Sequence, residues 1–229
     1  MSLFGTGPSG NVEQEKDFSK RTVDTDVYTA VIKMIFAGQA KSGARFVTIQ
    51  MKLASGKDYS ETIYITNKEG KNTYEKDGKE SYLPGYLLVN NMAIMATGKG
   101  LHDLAEDVET RTVKLYDFNE KKELPTDVPA IIPMIGKQVR VAIQEEEYEK
   151  QKLNDTTKKY EGTGEVAVKN QIVKVYDPET NKTAVEIRDD KEATQHDAWL
   201  EAYRGKIKTA TVSAAPTNQK NAPTKSGLF

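Results

Sequence analysis

Lysine and tyrosine side chains are concentrated in one stretch of the sequence, residues 67–82. Its cations and aromatic residues are Lys68, Lys71, Tyr74, Lys76, Lys79 and Tyr82. Ammonium groups attract phosphates, and aromatic rings offer flat surfaces on which nucleobases stack. A loop of this composition between two strands therefore suits a single nucleic acid strand, which carries both groups in every unit. The alternative is a solvated hairpin loop whose charges serve only solubility.

A second polar stretch, residues 149–164, is also predicted to be a loop. It combines lysines with a tyrosine: Lys150, Lys152 and Tyr160. The remaining candidates for nucleic-acid binding are cations and aromatics on predicted strands or their ends: Lys52, Tyr64, Lys114, Tyr116, Arg140 and Tyr148. Each tyrosine could instead be a half-buried packing residue with a hydrated hydroxyl group. We expect only a subset of the tyrosines to contact nucleic acid.

The composition excludes several kinds of catalytic and metal site. The chain contains no cysteine, which removes disulfides, thiolate catalysis and cysteine-ligated metals. Its two histidines, His102 and His196, are predicted to lie on the surface at helix ends. No zinc-protease motif, phosphate loop, nucleophile elbow or EF-hand pattern is present. The formal net charge of −1 does not by itself indicate a nucleic-acid-binding protein.

Carboxylates are the remaining candidates for catalysis. Glu145, Glu146 and Glu147 could supply ligands to a two-metal nuclease, but a strand that runs into a charged segment explains them more simply. We therefore predict a binding protein without enzymatic activity and without a cofactor. No apolar run approaches the length of a membrane span, and the N-terminus lacks a signal pattern, so we predict no membrane partner and a cytoplasmic location.

Hydrophobic periodicity indicates the strands that position these side chains. The clearest case is residues 44–54, where Val47, Ile49, Met51 and Leu53 face the core and alternate with the outward residues Phe46, Thr48, Gln50 and Lys52. We predict strands over residues 23–37, 44–54, 61–66, 111–117, 137–148, 166–176 and 183–187. The proline-rich connection over residues 118–136 is predicted to be an ordered loop that lies across the sheet.

Two helices are predicted, over residues 84–96 and 193–203. The first begins at a proline and ends before Gly98, which is the expected placement of both residue types. The side chains expected to enter the core from this helix are Leu87, Leu88, Ile94 and Met95.

Together these elements predict a mainly β protein, an OB-like antiparallel barrel of five to seven strands with an inserted helix and a short C-terminal helix. The predicted organisation is a flexible N-terminal arm over residues 1–22, a nucleic-acid-binding domain over residues 23–204, and a disordered tail over residues 205–229. The basis for the arm and the tail is their polar, Gly-, Ser- and Pro-containing composition.

Three motifs resemble bacteriophage-encoded single-stranded DNA-binding proteins of the OB-fold type. They are Ser81-Tyr82-Leu83-Pro84-Gly85-Tyr86 at the start of a helix, the strand at residues 112–117, and Pro-Ala-Ile-Ile-Pro at residues 129–133. The similarity covers about residues 23–190. It implies a protein that coats single-stranded DNA without sequence preference during phage DNA replication or recombination, in the cytoplasm of the infected bacterium.

The resemblance also implies that the apolar tip formed by Leu228 and Phe229 binds replication or recombination proteins. The family's tail is usually acidic, whereas residues 204–229 contain basic residues and no acidic one, so this tail would add to the attraction of phosphates. The alternative function is a non-enzymatic protein-interaction or structural β domain, for example of a virion. Its strands and polar termini would give the same composition.

Overall fold

The structure is a computed structural model that describes residues 22–117 and 119–209 of the 229-residue chain. Strands account for 50% of it and helices for 20%, so the predicted mainly β class is confirmed. The strands are β1 Asp26–Gln39, β2 Arg45–Leu53, β3 Asp58–Tyr64, β4 Thr73–Lys76, β5 Lys79–Tyr82, β6 Val108–Asp117, β7 Lys122–Ile131, β8 Gln138–Leu153, β9 Tyr160–Tyr176 and β10 Ile207–Lys208. The helices are α1 Pro84–Thr97, α2 Ala184–Arg188 and α3 Gln195–Tyr203, with 3-10 turns at His102–Asp107 and Ile132–Met134.

One large sheet dominates the described part of the chain. Its central order is β3-β2-β1-β8-β9, and every neighbouring pair in this series is antiparallel. The hairpin β6–β7 joins β1 through the pairing of Phe36 with Ala130, and β10 runs parallel to β8. The sheet is not closed, so β3 and β9 form the two ends of the central series.

Strand β2 follows the predicted alternation. Val47, Ile49, Met51 and Leu53 are buried in the core, while the residues between them face outward. The inner sheet face is covered by α1, which inserts Val89, Met92 and Ala93 into the same core cluster. Burial of these apolar side chains is the main force that holds the curved sheet to the helix.

The prediction that Leu87, Leu88, Ile94 and Met95 enter the core is confirmed only in part. Leu88 and Met95 are partly buried and pack against the core cluster, Ile94 is partly buried, and Leu87 is 42% exposed. The close contact of Gly85 with β3 explains the difference, since a Cβ atom at Gly85 would lie 2.1 Å from the carbonyl oxygen of Tyr64. This contact sets the rotation of the helix, and the sequence alone cannot reveal it.

The predicted loop over residues 118–136 contains strand β7 instead. β6 and β7 pair from Val108–Ile131 to Asp117–Lys122 and form a long hairpin. Its proline content obscured the strand, but Pro125 and Pro129 lie in a strand that has little pairing on its other edge, where a missing N–H donor is tolerated. Apolar side chains of the hairpin then cover the outer face of β1 around Phe36: Val113, Leu115, Val128 and Ala130.

The predicted loop over residues 149–164 is largely strand as well. β8 and β9 continue beyond the core as a two-stranded arm, and only residues 154–159 form the turn. Asn154 organises this turn because its side-chain oxygen accepts the N–H groups of Thr156 at 2.9 Å and Thr157 at 3.1 Å. The arm has no core on either side, so its polar sequence lacks the apolar alternation by which strands are recognised.

The predicted strand over residues 183–187 is helix α2. A capping box starts it: Thr183 Oγ1 accepts the N–H of Glu186 at 3.2 Å, and the Glu186 carboxylate accepts the N–H of Thr183 at 2.8 Å. Burial opposes ionisation of Glu186, but the N–H groups of Thr183 and Gln195, the Thr183 hydroxyl and the N–H of Thr194 outweigh it and lower its pKa to about 2. The spacing of a capping box, a threonine followed three residues later by a glutamate, is present in the sequence at Thr183 and Glu186.

Helix α3 confirms the predicted C-terminal helix and covers the outer face of β8 and β9. Trp199 packs there against Ala142 and Tyr176. The expectation that both histidines lie on the surface is wrong for His196, which is 9% exposed and meets the Tyr176 ring edge to face at 5.3 Å. Its position at the first turn of α3 turns the ring toward the sheet.

The predicted terminal segments are mostly outside the described residues, and so are Leu228 and Phe229. Within the described part, the short strand β10 lies in the region assigned to the tail. It pairs with β8, and Lys208 forms an ion pair with Glu146 at 2.7 Å. Among the helices of residues 22–117 and 119–209, none is long and apolar enough to span a lipid bilayer.

Replacing Met92 with alanine tests the observed orientation of α1. We expect Met92→Ala to lower the free energy of unfolding by about 2–5 kcal/mol, because it leaves a cavity between helix and sheet. The control Leu87→Ala on the exposed side should change it by less than about 0.5 kcal/mol. Urea unfolding followed by circular dichroism measures both values. Equal losses would contradict the orientation.

Candidate nucleic-acid interface

The outer face of β2 and β3 is the part of the central sheet that the other described elements leave open. The β6–β7 hairpin covers β1, and α3 covers β8 and β9, whereas β2 and β3 have substantial contacts only with each other, β1 and α1. Four cross-strand pairs line the open face: Phe46–Tyr64, Thr48–Thr62, Gln50–Ser60 and Lys52–Asp58. The face therefore runs from an aromatic end, through small polar side chains, to a charged end.

Phe46 and Tyr64 form the aromatic end. Their ring centroids are 5.8 Å apart at 69°, an edge-to-face arrangement, and Tyr64 is 54% exposed. The Phe46 ring rests directly on Gly38 of β1, where a Cβ atom would lie 2.4 Å from Cζ of Phe46. Sequence reasoning put Phe46 on the outward side of its strand but left it out of the candidate site. Its cross-strand pairing with Tyr64 places Phe46 on the same outer face of the sheet.

Part of the predicted loop over residues 67–82 is the hairpin β4–β5. Asp77 and Gly78 form its two-residue turn with φ values of 54° and 71°, as a type I′ turn requires. Strand alternation then separates the side chains onto two faces. One face carries Tyr74, Ser81, Lys76 and Lys79, and the other carries Thr73, Tyr82, Glu75 and Glu80.

This separation matters because the stretch is electrically balanced in sequence. Four carboxylates accompany its four lysines, so the segment has no net positive charge. In the hairpin, strand alternation places two lysines and a tyrosine on one face and two glutamates on the other. On the acidic face, Tyr82 stacks on Tyr86 with centroids 5.3 Å apart, and Glu80 accepts a 2.7 Å hydrogen bond from Thr73.

Lys68 and Lys71 lie in the turn that precedes this hairpin. The Asn67 side chain shapes the turn by accepting the N–H groups of Glu69 at 3.1 Å and Lys71 at 2.9 Å. The turn contacts the β1–β2 connection, since a Cβ atom at Gly43 would lie 2.7 Å from the Lys68 carbonyl oxygen. The structure thus brings these lysines to the same end of the sheet as Phe46 and Tyr64.

Three predicted site residues lie elsewhere. Lys114 and Tyr116 are on the side of the β6–β7 hairpin opposite the apolar side chains that cover β1. Arg140 is beside Thr29 at the end of the sheet that also holds Lys52, and its guanidinium donates to Thr29 and to Asn181. These three residues do not join the aromatic end.

The other four candidates lie on the β8–β9 arm, where carboxylates lie close to the cations. Lys150 forms a 3.0 Å ion pair with Glu165, and Lys152 is opposite Glu161. Tyr148 has the ammonium group of Lys169 5.5 Å from its ring centroid. Tyr160 is opposite Leu153 at the tip of the arm. The arm offers exposed rings, but most of its charge is balanced.

The ends of the central sheet meet at a seam between β3 and β9 that a half-buried carboxylate bridges. Glu61 Oε2 accepts the Tyr59 hydroxyl at 2.7 Å and the N–H of Ile172 at 2.8 Å. Burial raises the pKa of Glu61 above its usual range, although these hydrogen bonds and Lys169 act in the opposite direction. Burial also raises the pKa of Tyr59, with a further contribution from Glu61. The bridge connects two strands that do not pair.

The predicted metal-ligand candidates do not converge. Glu145 is buried and accepts a 2.7 Å hydrogen bond from Thr22, while Glu146 points to the other side of β8 and pairs with Lys208. In residues 22–117 and 119–209, no group of three or more His, Asp or Glu residues could hold a metal ion.

Comparison with known proteins does not place the chain in a family. No protein-family model matches it, and no curated protein sequence matches it. The arrangement of its side chains is therefore the basis for a functional conclusion.

The packing of Phe46 on Gly38 can be tested by a double-mutant cycle. We expect Gly38→Ala to destabilise the fold by about 1–3 kcal/mol, because the added methyl group overlaps the ring. In a Phe46→Ala background the same change should cost less than about 0.5 kcal/mol, since no ring remains to be displaced. Urea unfolding gives the four free energies. An equal cost in both backgrounds would contradict the contact.

Proposed function

We propose that this protein binds single-stranded DNA without sequence preference through the outer face of β2 and β3. The observation that carries the proposal is that the elements covering the other central strands leave this face open in the described part, and that it ends in the aromatic pair Phe46 and Tyr64. The role is binding, not catalysis. Following the sequence resemblance, we assign it to phage DNA replication or recombination in the host cytoplasm.

The strand order supports an OB-type interpretation of the fold. In the central series β3-β2-β1-β8-β9, the two end strands approach each other at the seam that Glu61 bridges, and α1 follows β3 and fills the interior. A partly open five-stranded barrel with these properties is the OB architecture, which binds oligonucleotides on the face of its second and third strands and with neighbouring loops. The corresponding strands here are β2 and β3.

The chemistry of the face suits binding that is independent of the base sequence of the DNA. Bases can stack on Phe46 and Tyr64 because every base has a π face. Lys76 and Lys79 on the cationic face of the neighbouring hairpin attract phosphates, which are the same at every position. The middle of the face carries short hydroxyl and amide side chains, with Thr48 and Thr62 already hydrogen bonded to each other at 2.9 Å. These groups do not form a pattern that would select one base.

A protein-interaction domain is the second candidate, and the β8–β9 arm favours it. Val166 and Val168 are exposed on one side of the arm, and Leu153 is exposed at its tip. Apolar side chains on a projecting ribbon are typical of contacts with another protein. This function would leave the β2–β3 face unused, so a DNA-binding assay separates the two candidates.

Binding should depend on Tyr64 and not on Tyr116. Both tyrosines are 54% exposed, but only Tyr64 lies on the proposed face. We expect wild-type protein to bind oligo-dT and mixed-sequence single strands with similar affinity and duplex DNA more weakly. Tyr64→Ala should weaken single-strand binding by about 1–3 kcal/mol through loss of one stacked base, and Tyr116→Ala should leave it unchanged. Fluorescence anisotropy with labelled strands measures each affinity.

Two results would contradict the proposal. The first is absence of single-strand binding by wild-type protein at low salt, which would favour the protein-interaction alternative. The second is an equal loss of affinity in Tyr64→Ala and Tyr116→Ala, which would show that the β2–β3 face is not the binding surface.

Neutralising the charges on each face of the β4–β5 hairpin in turn gives an independent test. Replacing Lys76 and Lys79 with glutamine should weaken binding to all single strands and reduce the slope of log K against log salt by about 0.7 per lost phosphate contact. Replacing Glu75 and Glu80 with glutamine alters the same hairpin by the same amount of charge, and it should maintain or strengthen binding. Anisotropy titrations at several salt concentrations give the slopes. A dependence on the acidic face alone would be inconsistent with phosphate contact at the lysines.

A further inference from the structure

Three adjoining cavities along β9 lead away from the aromatic end of the proposed face. The first, of about 440 Å³, lies in the seam between β3 and β9 and is lined by Tyr64, Gly85 and Val173, among others. The second, of about 550 Å³, lies between β9, α1 and α2. The third, of about 530 Å³, lies between β8, β9, α3 and β10. Val173 contributes to all three, so the cavities meet at this residue.

The third cavity combines an aromatic platform with an apolar floor. Trp199, the only tryptophan of the chain, is 5% exposed and forms part of the floor. Tyr203 is 44% exposed, and its ring centroid lies 5.5 Å from that of Trp199 at 36°. Packing on Trp199 holds the Tyr203 ring in place, so a planar group could stack on it without first ordering the side chain.

Lysines surround this platform, and two of them are not neutralised. Lys208 pairs with Glu146 at 2.7 Å. Lys174 donates to the side-chain oxygen of Gln195 at 3.1 Å, and Lys206 donates to the carbonyl oxygen of Ala202 at 2.6 Å. Both acceptors are neutral, and within the described part of the chain neither lysine forms an ion pair. The cavity therefore has positive charge available for an anionic ligand.

We propose that this cavity is a second contact site for the single DNA strand bound at the β2–β3 face, a proposal that rests on the function assigned above. The strand passes Tyr64, follows the seam and β9 past Val173, and places a base on Tyr203 with its phosphates near Lys174 and Lys206. The cavity matches both groups that each nucleotide carries, a planar ring and an anion. An acidic peptide would use the lysines but not the platform.

The two-site path predicts a dependence on strand length. A short oligonucleotide fills the β2–β3 face alone, whereas a longer one also reaches the cavity beside α3. OB-type domains cover roughly 4–16 nucleotides, so oligo-dT strands spanning this range separate the two cases. Only the longer strands should approach Trp199 and change its fluorescence, because this residue lines the third cavity, between β8, β9, α3 and β10.

The experiment uses the full chain and measures oligo-dT of about 4 to 16 nucleotides by anisotropy and by tryptophan fluorescence. We expect Tyr203→Ala to weaken binding of the longest strand by about 5- to 150-fold and to leave the shortest bound strand unaffected. The double variant Lys174→Gln and Lys206→Gln keeps the packing of Tyr203 on Trp199, and it should show the same length dependence. Tyr160→Ala at the tip of the arm is the exposed-tyrosine control and should have no effect.

The outcomes distinguish this inference from the proposed function. If the wild type binds the strands but neither variant weakens any length, or both weaken all lengths equally, the second site is overturned and the β2–β3 site stands. If poly-glutamate changes the Trp199 fluorescence as strongly as long oligo-dT does, the cavity is an acidic-peptide site and the strand path is overturned. If the wild type binds no single strand at any length, the function itself fails.

Discussion

The packing of α1 against the inner face of the curved sheet is the interaction on which the rest of the structure depends. Val89, Met92 and Ala93 fill the interior, and the near-contact of Gly85 with the Tyr64 carbonyl brings the helix against β3. With the interior filled by apolar side chains, strand alternation sends the polar residues of β2 and β3 outward. Any site for a polar ligand on these strands must therefore lie on the outer face.

The outer face is then divided by what packs on it. The β6–β7 hairpin buries Phe36 of β1, and Trp199 of α3 buries Ala142 of β8 and Tyr176 of β9. These additions stabilise the strands that they cover and leave β2 and β3 accessible. The seam between β3 and β9 remains accessible as well, because a single carboxylate, Glu61, bridges it in place of a ladder of backbone hydrogen bonds.

Local ion pairs, and not the net charge, decide where positive charge is available in this protein. The formal net charge is −1, and many lysines, such as Lys52 with Asp58 at 3.1 Å, lie beside a carboxylate. Positive charge becomes available where geometry separates lysines from acids, as on one face of the β4–β5 hairpin, or where their acceptors are neutral, as at Lys174. Composition alone could not distinguish these cases, because it does not record which carboxylate each lysine contacts.

The sequence by itself determined the mainly β class, the inward face of β2 and the extents of α1 and α3, since periodicity and helix-end residues act over a few positions. It did not determine the strands of the β8–β9 arm, which has no core to produce alternation, or β7, whose prolines resemble a loop. Only the tertiary structure decided the inward side of α1 and the open face at Phe46 and Tyr64. Both depend on contacts between residues distant in the chain, such as Gly85 with Tyr64 and Phe36 with Val128. Sequence patterns that extend over a few residues cannot predict such contacts.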